Sequence, residues 1–227
     1  MPILPIAPPT SEKQLLDRAN QLSGRTVSSV AGALGISIPR DPRKNKGFTG
    51  RLLEIALGAT AESRPIPDFE EIGVELKTIP ISANGIPRES TYVCTVPLNG
   101  QSEVHWENSN VKRKLNRVLW VPIVSPVGGT IANRTITQPL LWSPTPDQEE
   151  TLQTDWEEFM DQIVIGEINS ITAHMGTWLQ IRPKAANARS RRLGVGESGR
   201  LVPMLPRGFY LRTQFTKYLL RRHLPAV

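Results

Sequence analysis

The sequence predicts a mixed α/β or α+β fold in which a mixed sheet is flanked by helices. Three observations carry that expectation. Segments with helical apolar spacing interleave with short runs that read as strands. Hydrophobic residues make up 39% of 227 positions, enough for one large domain or two small lobes and too many for wholesale disorder. The single cysteine, Cys94, excludes an internal disulfide and any zinc site built from several cysteines, so the elements must hold themselves together by packing.

Thr10-Ser11 followed by Gln14 is a capping signal, and Leu15, Leu16, Ala19 and Leu22 give the first helix one apolar stripe up to Gly24. A short helix is expected over Val27 to Leu34. Residues 36–47 are rich in proline and basic side chains and read as a loop. A helix follows from about Thr49 to Leu57, with Glu54 among its leucines. Ile72 to Ile79 reads as a strand, Asn84-Gly85 as a turn, and Thr91 to Val96 as a second strand. A polar, basic helix is expected over Asn108 to Leu115, then a strand from Arg117 to Val124 and a break at Gly128-Gly129. Thr145-Pro146-Asp147-Gln148 combines a cap, proline at the first helical position and glutamine at the third, which opens a helix buried through Leu152, Trp156, Phe159, Met160 and Ile163. Its acids, Glu149, Glu150, Asp155, Glu157, Glu158 and Asp161, read as a mainly solvated face. A strand at Trp178–Ile181, a basic loop over 182–200, a strand near Phe209–Leu211 and a closing helix from about Thr213 complete the chain.

Charge is unevenly spread. The net charge is +6, but residues 182–227 hold eleven Lys/Arg and one acid, Glu197, while the rest holds 16 basic and 20 acidic residues. Such asymmetry points to a polyanion, nucleic acid or a membrane surface, against the plainer reading of a solvated basic face. The start of the chain, Met1-Pro2-Ile3-Leu4-Pro5-Ile6, lacks the basic region of a signal peptide, and no run approaches the roughly 18 apolar residues of a membrane span. A cytoplasmic setting is expected.

Phosphodiester hydrolysis needs a cation to stabilise the pentacovalent state and a water of lowered pKa. Hard Mg²⁺ prefers carboxylate oxygens. The smallest site is therefore two carboxylates with a lysine nearby. Asp68 followed by Glu75-Leu76-Lys77 supplies that set. Alternation along a strand puts Glu75 and Lys77 on one face, with Val74 and Leu76 on the other. Asp68, just after Pro67, can turn back toward Glu75, and the Leu76 carbonyl can add an uncharged ligand. The competing reading is a surface ion pair on a half-exposed strand. Glu54 is either a further site carboxylate or a solvent-facing glutamate.

Other motifs carry less. Gly194-Val195-Gly196-Glu197-Ser198-Gly199 has the dinucleotide-binding spacing but neither a strand before it nor a helix after it, so it reads as a flexible loop. His105, His174 and His223 are scattered. No Walker A sequence appears, so the chain itself is not expected to hydrolyse ATP. Arg182, Lys184, Arg189, Arg191, Arg192 and Arg200 form a basic cluster able to neutralise phosphates and, through arginine, to meet guanine edges. Tyr210 near Arg207 and Gly208 can meet a base or sugar, or be a core tyrosine. Lys46-Gly47 and Lys112-Arg113-Lys114 form two further basic patches. Basic patches on both sides of the acidic set in sequence suggest a cleft entered by DNA.

Several runs together resemble the MutH family. They are Pro67-Asp68 with Glu75-Leu76-Lys77-Thr78-Ile79-Pro80, Lys114-Leu115-Asn116-Arg117-Val118-Leu119-Trp120, Leu140-Leu141-Trp142-Ser143-Pro144, Gln180-Ile181-Arg182-Pro183-Lys184-Ala185-Ala186-Asn187-Ala188 and Pro206-Arg207-Gly208-Phe209-Tyr210-Leu211. The resemblance runs from about Gln14 to His223. It implies a restriction-endonuclease-like core with two lobes around a DNA-binding cleft. It implies Mg²⁺-dependent nicking of the unmethylated strand of hemimethylated GATC, 5′ of the G, in bacterial mismatch repair, with MutL as activator and MutS acting through it. By resemblance, Asp68 and Glu75 bind metal with Glu54 as a further carboxylate, and Lys77 and Lys114 are catalytic lysines. Lys46, Gly47, Arg182, Lys184 and Tyr210 match its DNA-reading residues, and Tyr92 sits where the family can carry another aromatic. A monomer is expected. The alternatives are a GATC restriction endonuclease acting alone and a non-catalytic DNA-binding regulator.

Overall fold

A computed structural model describes residues 6–40, 47–62, 64–99, 105–172, 174–184 and 191–223. The elements in chain order are α1 (Glu12–Leu22), α2 (Val27–Ala33), α3 (Phe48–Leu57), β1 (Glu75–Ile81), β2 (Thr91–Thr95), α4 (Asn110–Leu115), β3 (Val118–Val124), β4 (Thr135–Ile136), β5 (Leu140–Trp142), α5 (Pro146–Val164), β6 (Leu179–Pro183), β7 (Arg192–Val195), β8 (Leu201–Met204), β9 (Arg207–Leu211) and α6 (Thr213–His223). Among the described residues no helix is long and apolar enough to cross a membrane. The chain forms two compact units. The first takes residues up to Glu89, Arg117–Ser143 and the chain from Thr216, and the second takes Ser90–Asn116 and Pro144–Phe215.

In the first unit β1 and β3 run parallel, Glu75 opposite Val118 through Ile81 opposite Val124. β4 and β5 pair antiparallel with β3, so β1 lies at the edge of this mixed sheet. Helices α1, α2 and α3 cover it, and Leu15, Val30, Leu53, Leu57, Leu76 and Leu119 meet in one apolar core. The helix starts follow the expected chemistry. Ser11 caps α1 by accepting the Gln14 N–H, and the Gln14 side chain accepts the Thr10 N–H. Thr26 caps α2 through the Ser29 N–H. A two-pronged bond ties α1 to the start of β3: Arg117 Nε and Nη2 donate to the two oxygens of Glu12 at 2.7 and 2.5 Å.

In the second unit β2, β9 and β6 form an antiparallel sheet. Alternation along it turns Leu179, Ile181, Phe209 and Leu211 inward, all buried, and Phe209 meets Phe159 of α5. The capping box at Thr145 and Gln148 opens α5 as expected. Asp155 departs from expectation. It is not on the solvated face: it is 3% exposed and its carboxylate accepts the N–H groups of Thr177 at 2.6 Å, Trp178 at 2.6 Å and Leu179 at 2.8 Å. Those donors precede and open β6, where no strand partner can take all of them. Glu149 is likewise engaged, accepting from Trp106 Nε1 and Lys112 Nζ at 3.2 and 2.7 Å.

The span read as a basic loop over 182–200 contains structure at its far end. β7 and β8 pair as a hairpin, Arg192 opposite Met204 and Val195 opposite Leu201. The glycine-spaced run supplies β7 and the turn, closed by Gly196 N–H to Arg200 carbonyl at 2.9 Å. It is a paired hairpin rather than the flexible loop its glycine spacing suggested. Residues 185–190 lie outside the described residues, Arg189 with them.

Two outcomes follow from these contacts. Replacing Asp155 by alanine removes the acceptor of three N–H groups, that of Leu179 buried and the other two partly so, and urea unfolding is expected to show a loss of about 3 kcal/mol. Glu12 is held below the usual carboxylate range, first by its hydrogen bonds from Arg117. Its contribution is therefore full above the unfolded-state pKa near ~4 and vanishes as pH falls through the lower folded value. Arg117→Met should flatten the acid limb of a stability-against-pH curve.

Candidate active site

The acidic set is built by one short excursion of the chain. After α3, the N–H groups of Thr60 and Ala61 donate to the Asp68 carbonyl at 2.9 and 3.3 Å. Phe69 and Val74 then pair with each other around a 3-10 turn at Glu70–Ile72, which reverses the chain. Asp68 is thereby brought back alongside β1, and its Oδ2 accepts the Leu76 N–H at 2.8 Å.

Strand alternation explains why that donor is available. The Glu75 N–H bonds to the Arg117 carbonyl at 2.9 Å, on the β3 side. Leu76 is one residue on, so its N–H and carbonyl point to the opposite edge, where, among the described residues, the sheet carries no strand. The Leu76 side chain goes into the core at 7% exposure. Glu75 and Lys77 share the other face, and Lys77 Nζ lies 2.5 Å from Glu75 Oε1. Their side chains are 4% and 11% exposed, so this is not a surface ion pair. Two charges so far from water are costly unless each compensates the other.

The donor set fits a hard divalent cation: two carboxylates of adjacent segments and a backbone carbonyl at a sheet edge, all oxygen. Glu54 lies on α3, which packs on β1, and its carboxylate is 3.4 Å from Arg51 Nη1. Among the described residues no three His, Cys, Asp or Glu side chains gather as an ion cage. The structure therefore joins Asp68, Glu75, Leu76 and Lys77, and gives Glu54 an arginine partner. Lys114 stands on α4, in the second unit. Of the basic patch there, Lys112 is pinned between Glu107 at 2.6 Å and Glu149 at 2.7 Å, and these hydrogen bonds raise its pKa.

The residues expected to read DNA fall as follows. Lys46 lies outside the described residues. Gly47 caps α3 with a φ of 77°, a left-handed backbone that glycine adopts without strain. Tyr92, Arg182, Lys184 and Tyr210 share the outward face of the second unit's sheet. Tyr92 and Tyr210 are cross-strand partners with ring centroids 5.3 Å apart, edge to face. The Arg182 guanidinium lies 5.8 Å from the Tyr210 ring and the Lys184 ammonium 3.3 Å from the Tyr92 ring. Burial raises the Tyr210 phenol above its ordinary pKa, with Tyr92 adding and Arg182 opposing, so the hydroxyl is a neutral donor at pH 7. Tyr210 is thus half-exposed on this face rather than a fully buried core tyrosine, a choice the sequence left open.

Known proteins resemble this chain closely. The DNA mismatch repair protein MutH of Yersinia enterocolitica is 52% identical over 220 residues, 97% of this chain and 96% of that protein. The chain belongs to the MutH family. MutH proteins of Vibrio cholerae and of Escherichia coli O6:K15:H31 are each 50% identical, over 95% and 96% of this chain and 97% and 95% of theirs. The family model described as DNA mismatch repair enzyme MutH matches residues 57–155, a span that holds Asp68, Glu75, Lys77 and Lys114. The mixed sheet flanked by helices agrees with the restriction-endonuclease-like fold expected from the MutH resemblance.

Sequence reasoning missed two residues beside these sites. Asp155 sets the start of β6, the strand that carries Arg182 and leads into Lys184. Ser90 accepts a hydrogen bond from Arg182 Nη1 at 2.7 Å, and nothing near it in sequence hinted at a partner 92 positions away.

The Glu75–Lys77 pair makes a stability prediction that does not depend on activity. Lys77→Met leaves a buried carboxylate and should cost about 3 kcal/mol in urea unfolding. Adding Glu75→Gln to it should recover most of that loss. A double variant no more stable than the single one would mean the two charges are not coupled.

Proposed function

We propose that this MutH-family protein is a Mg²⁺-dependent endonuclease that nicks the unmethylated strand of hemimethylated GATC, 5′ of the G. One observation carries the chemical part of this reading. The Asp68 carboxylate is bonded to the N–H of Leu76, the residue between the buried, paired Glu75 and Lys77, in a chain of this family.

Asp68 and Glu75 would hold the ion, together with the Leu76 carbonyl, and Glu54 would complete the set on leaving Arg51. When bound, Mg²⁺ supplies positive charge toward the phosphoryl oxygens and a water of lowered pKa. Lys77, fixed by its neighbour on the strand, orients the attacking water, and Lys114 is assigned a second cationic role. Water oxygen attacks phosphorus in line, the P–O3′ bond breaks, and O3′ takes up a proton. The products are a 3′-hydroxyl and a 5′-phosphate.

Recognition is assigned to the second unit, with Lys46 and Gly47 adding contacts from the first. Arg182 is suited to a guanine edge through two parallel hydrogen bonds, and Lys184 to a phosphate or base acceptor. Tyr210, with Tyr92, is suited to a base or sugar face. The DNA partner is double-stranded, and activation is assigned to MutL, with MutS acting through it and the protein itself a monomer.

The test is nicking of a hemimethylated plasmid with Mg²⁺. Wild type should nick slowly alone and faster with MutL, and Lys77→Ala should lose on the order of 100-fold or more in rate. Unchanged nicking by Lys77→Ala would falsify the site. Fast cutting of both strands without MutL would instead identify a stand-alone restriction enzyme.

A further inference from the structure

The outward face of the β2–β9–β6 sheet is organised around a residue with no side chain. Gly208 on β9 stands opposite Arg182 on β6 and Thr95 on β2. A Cβ built there would lie 2.9 Å from the Tyr92 ring and 3.1 Å from the Tyr210 ring. Both rings therefore lean over the glycine, in space that any other residue would fill. A register shift between Tyr92 and Cys94 breaks the regular pairing of β2 just after Tyr92, the kind of irregularity that re-aims a side chain. The Tyr92 hydroxyl and Thr95 Oγ1 are 3.0 Å apart, which fixes the far end of that ring.

Each cation of this face is restrained twice. Lys184 has its backbone N–H on the Pro206 carbonyl at 2.7 Å and its ammonium over Tyr92. Arg182 has its guanidinium beside Tyr210 and its Nη1 on Ser90 Oγ. A free arginine loses much side-chain entropy when it is ordered against a base, and a preformed rotamer removes that cost before binding. Oriented this way, the fork has donors left over, since one nitrogen meets Ser90 and a guanidinium carries five N–H groups.

We infer that Ser90 and Gly208 are specificity-determining positioning residues, Ser90 holding the Arg182 fork in its reading orientation and Gly208 admitting the two tyrosine rings that support both cations. Neither residue touches DNA in this account. Each acts through Arg182, Lys184 and the rings. The inference rests on the proposed reading of GATC, which it deepens.

The experiment measures binding, in the absence of divalent metal, to a hemimethylated GATC duplex and to the same duplex with one base pair of the site changed. Ser90→Ala should cut the ratio of the two affinities by about tenfold, the scale of one lost orienting hydrogen bond, while binding to the altered duplex stays within about twofold. Ser90→Thr keeps the hydroxyl and should restore the ratio. Gly208→Ala should lower the ratio in the same way. A Ser90→Ala ratio equal to wild type overturns the inference. So does an equal loss on both duplexes, or a failure of threonine to rescue, since packing alone would explain either. Wild type without preference for GATC would instead overturn the functional reading, whereas preference kept by wild type and Ser90→Ala alike overturns only the role of Ser90.

Discussion

The arrangement around β1 depends on a single backbone hydrogen bond at a sheet edge. In a parallel strand, successive residues offer their N–H and carbonyl groups to alternate sides, so Glu75 bonds to β3 and Leu76 cannot. An edge N–H needs some partner, and here it is the Asp68 carboxylate. The same bond holds the Asp68 carboxylate at the backbone between Glu75 and Lys77, after the Phe69–Val74 pairing has turned the chain back, and the Leu76 carbonyl faces the same edge. The core side of β1 is fixed by Leu76 and Val74 against α3 and its neighbours. The chemistry of one face is thus registered by the packing of the other, and a slip of one residue would exchange them.

The second unit solves a different problem, which is to hold long flexible cations in defined places. It does so with rings, a hydroxyl and a missing side chain rather than with carboxylates. That choice has a physical reason. A carboxylate beside Arg182 would neutralise it, whereas Ser90 and Tyr210 orient the guanidinium and leave its charge intact. Lys112 shows the opposite treatment, since Glu107 and Glu149 hold it and its charge is spent inside the protein.

Much of this was legible in the sequence because it is local. Ser11, Thr26 and the Thr145–Gln148 box are decided within four residues, and the helices open where those signals lie. The two faces of β1 follow from period two alone, which is why Glu75 and Lys77 were placed together correctly. Starts shifted by two or three residues where a 3-10 turn precedes the element, as at Glu70–Ile72 before β1 and Trp106–Asn108 before α4. What could not be read depends on distant partners. Asp155 looks like its acidic neighbours on α5 until β6 arrives more than twenty residues later with three N–H groups to satisfy. The β7–β8 hairpin was hidden because arginine and glycine suggested a loop, and its exposed Leu193 and Leu201 give no inward-facing pattern to read. Strands β4 and β5, of two and three residues, are too short to carry any periodicity.

The parallel pairing of β1 with β3 has a consequence for how the chain can be cut. Parallel neighbours need a long crossover, and here the crossover is Ser90–Asn116, a stretch that belongs to the other compact unit. Neither unit is a contiguous piece of polypeptide. No single truncation releases one of them whole, and a ribosome that has made Asp68, Glu75 and Lys77 has not yet made the Arg117 carbonyl on which their strand closes. Maturation of that edge is a long-range event, so amide protection along β1 should arrive late in refolding and together with β3, never ahead of it.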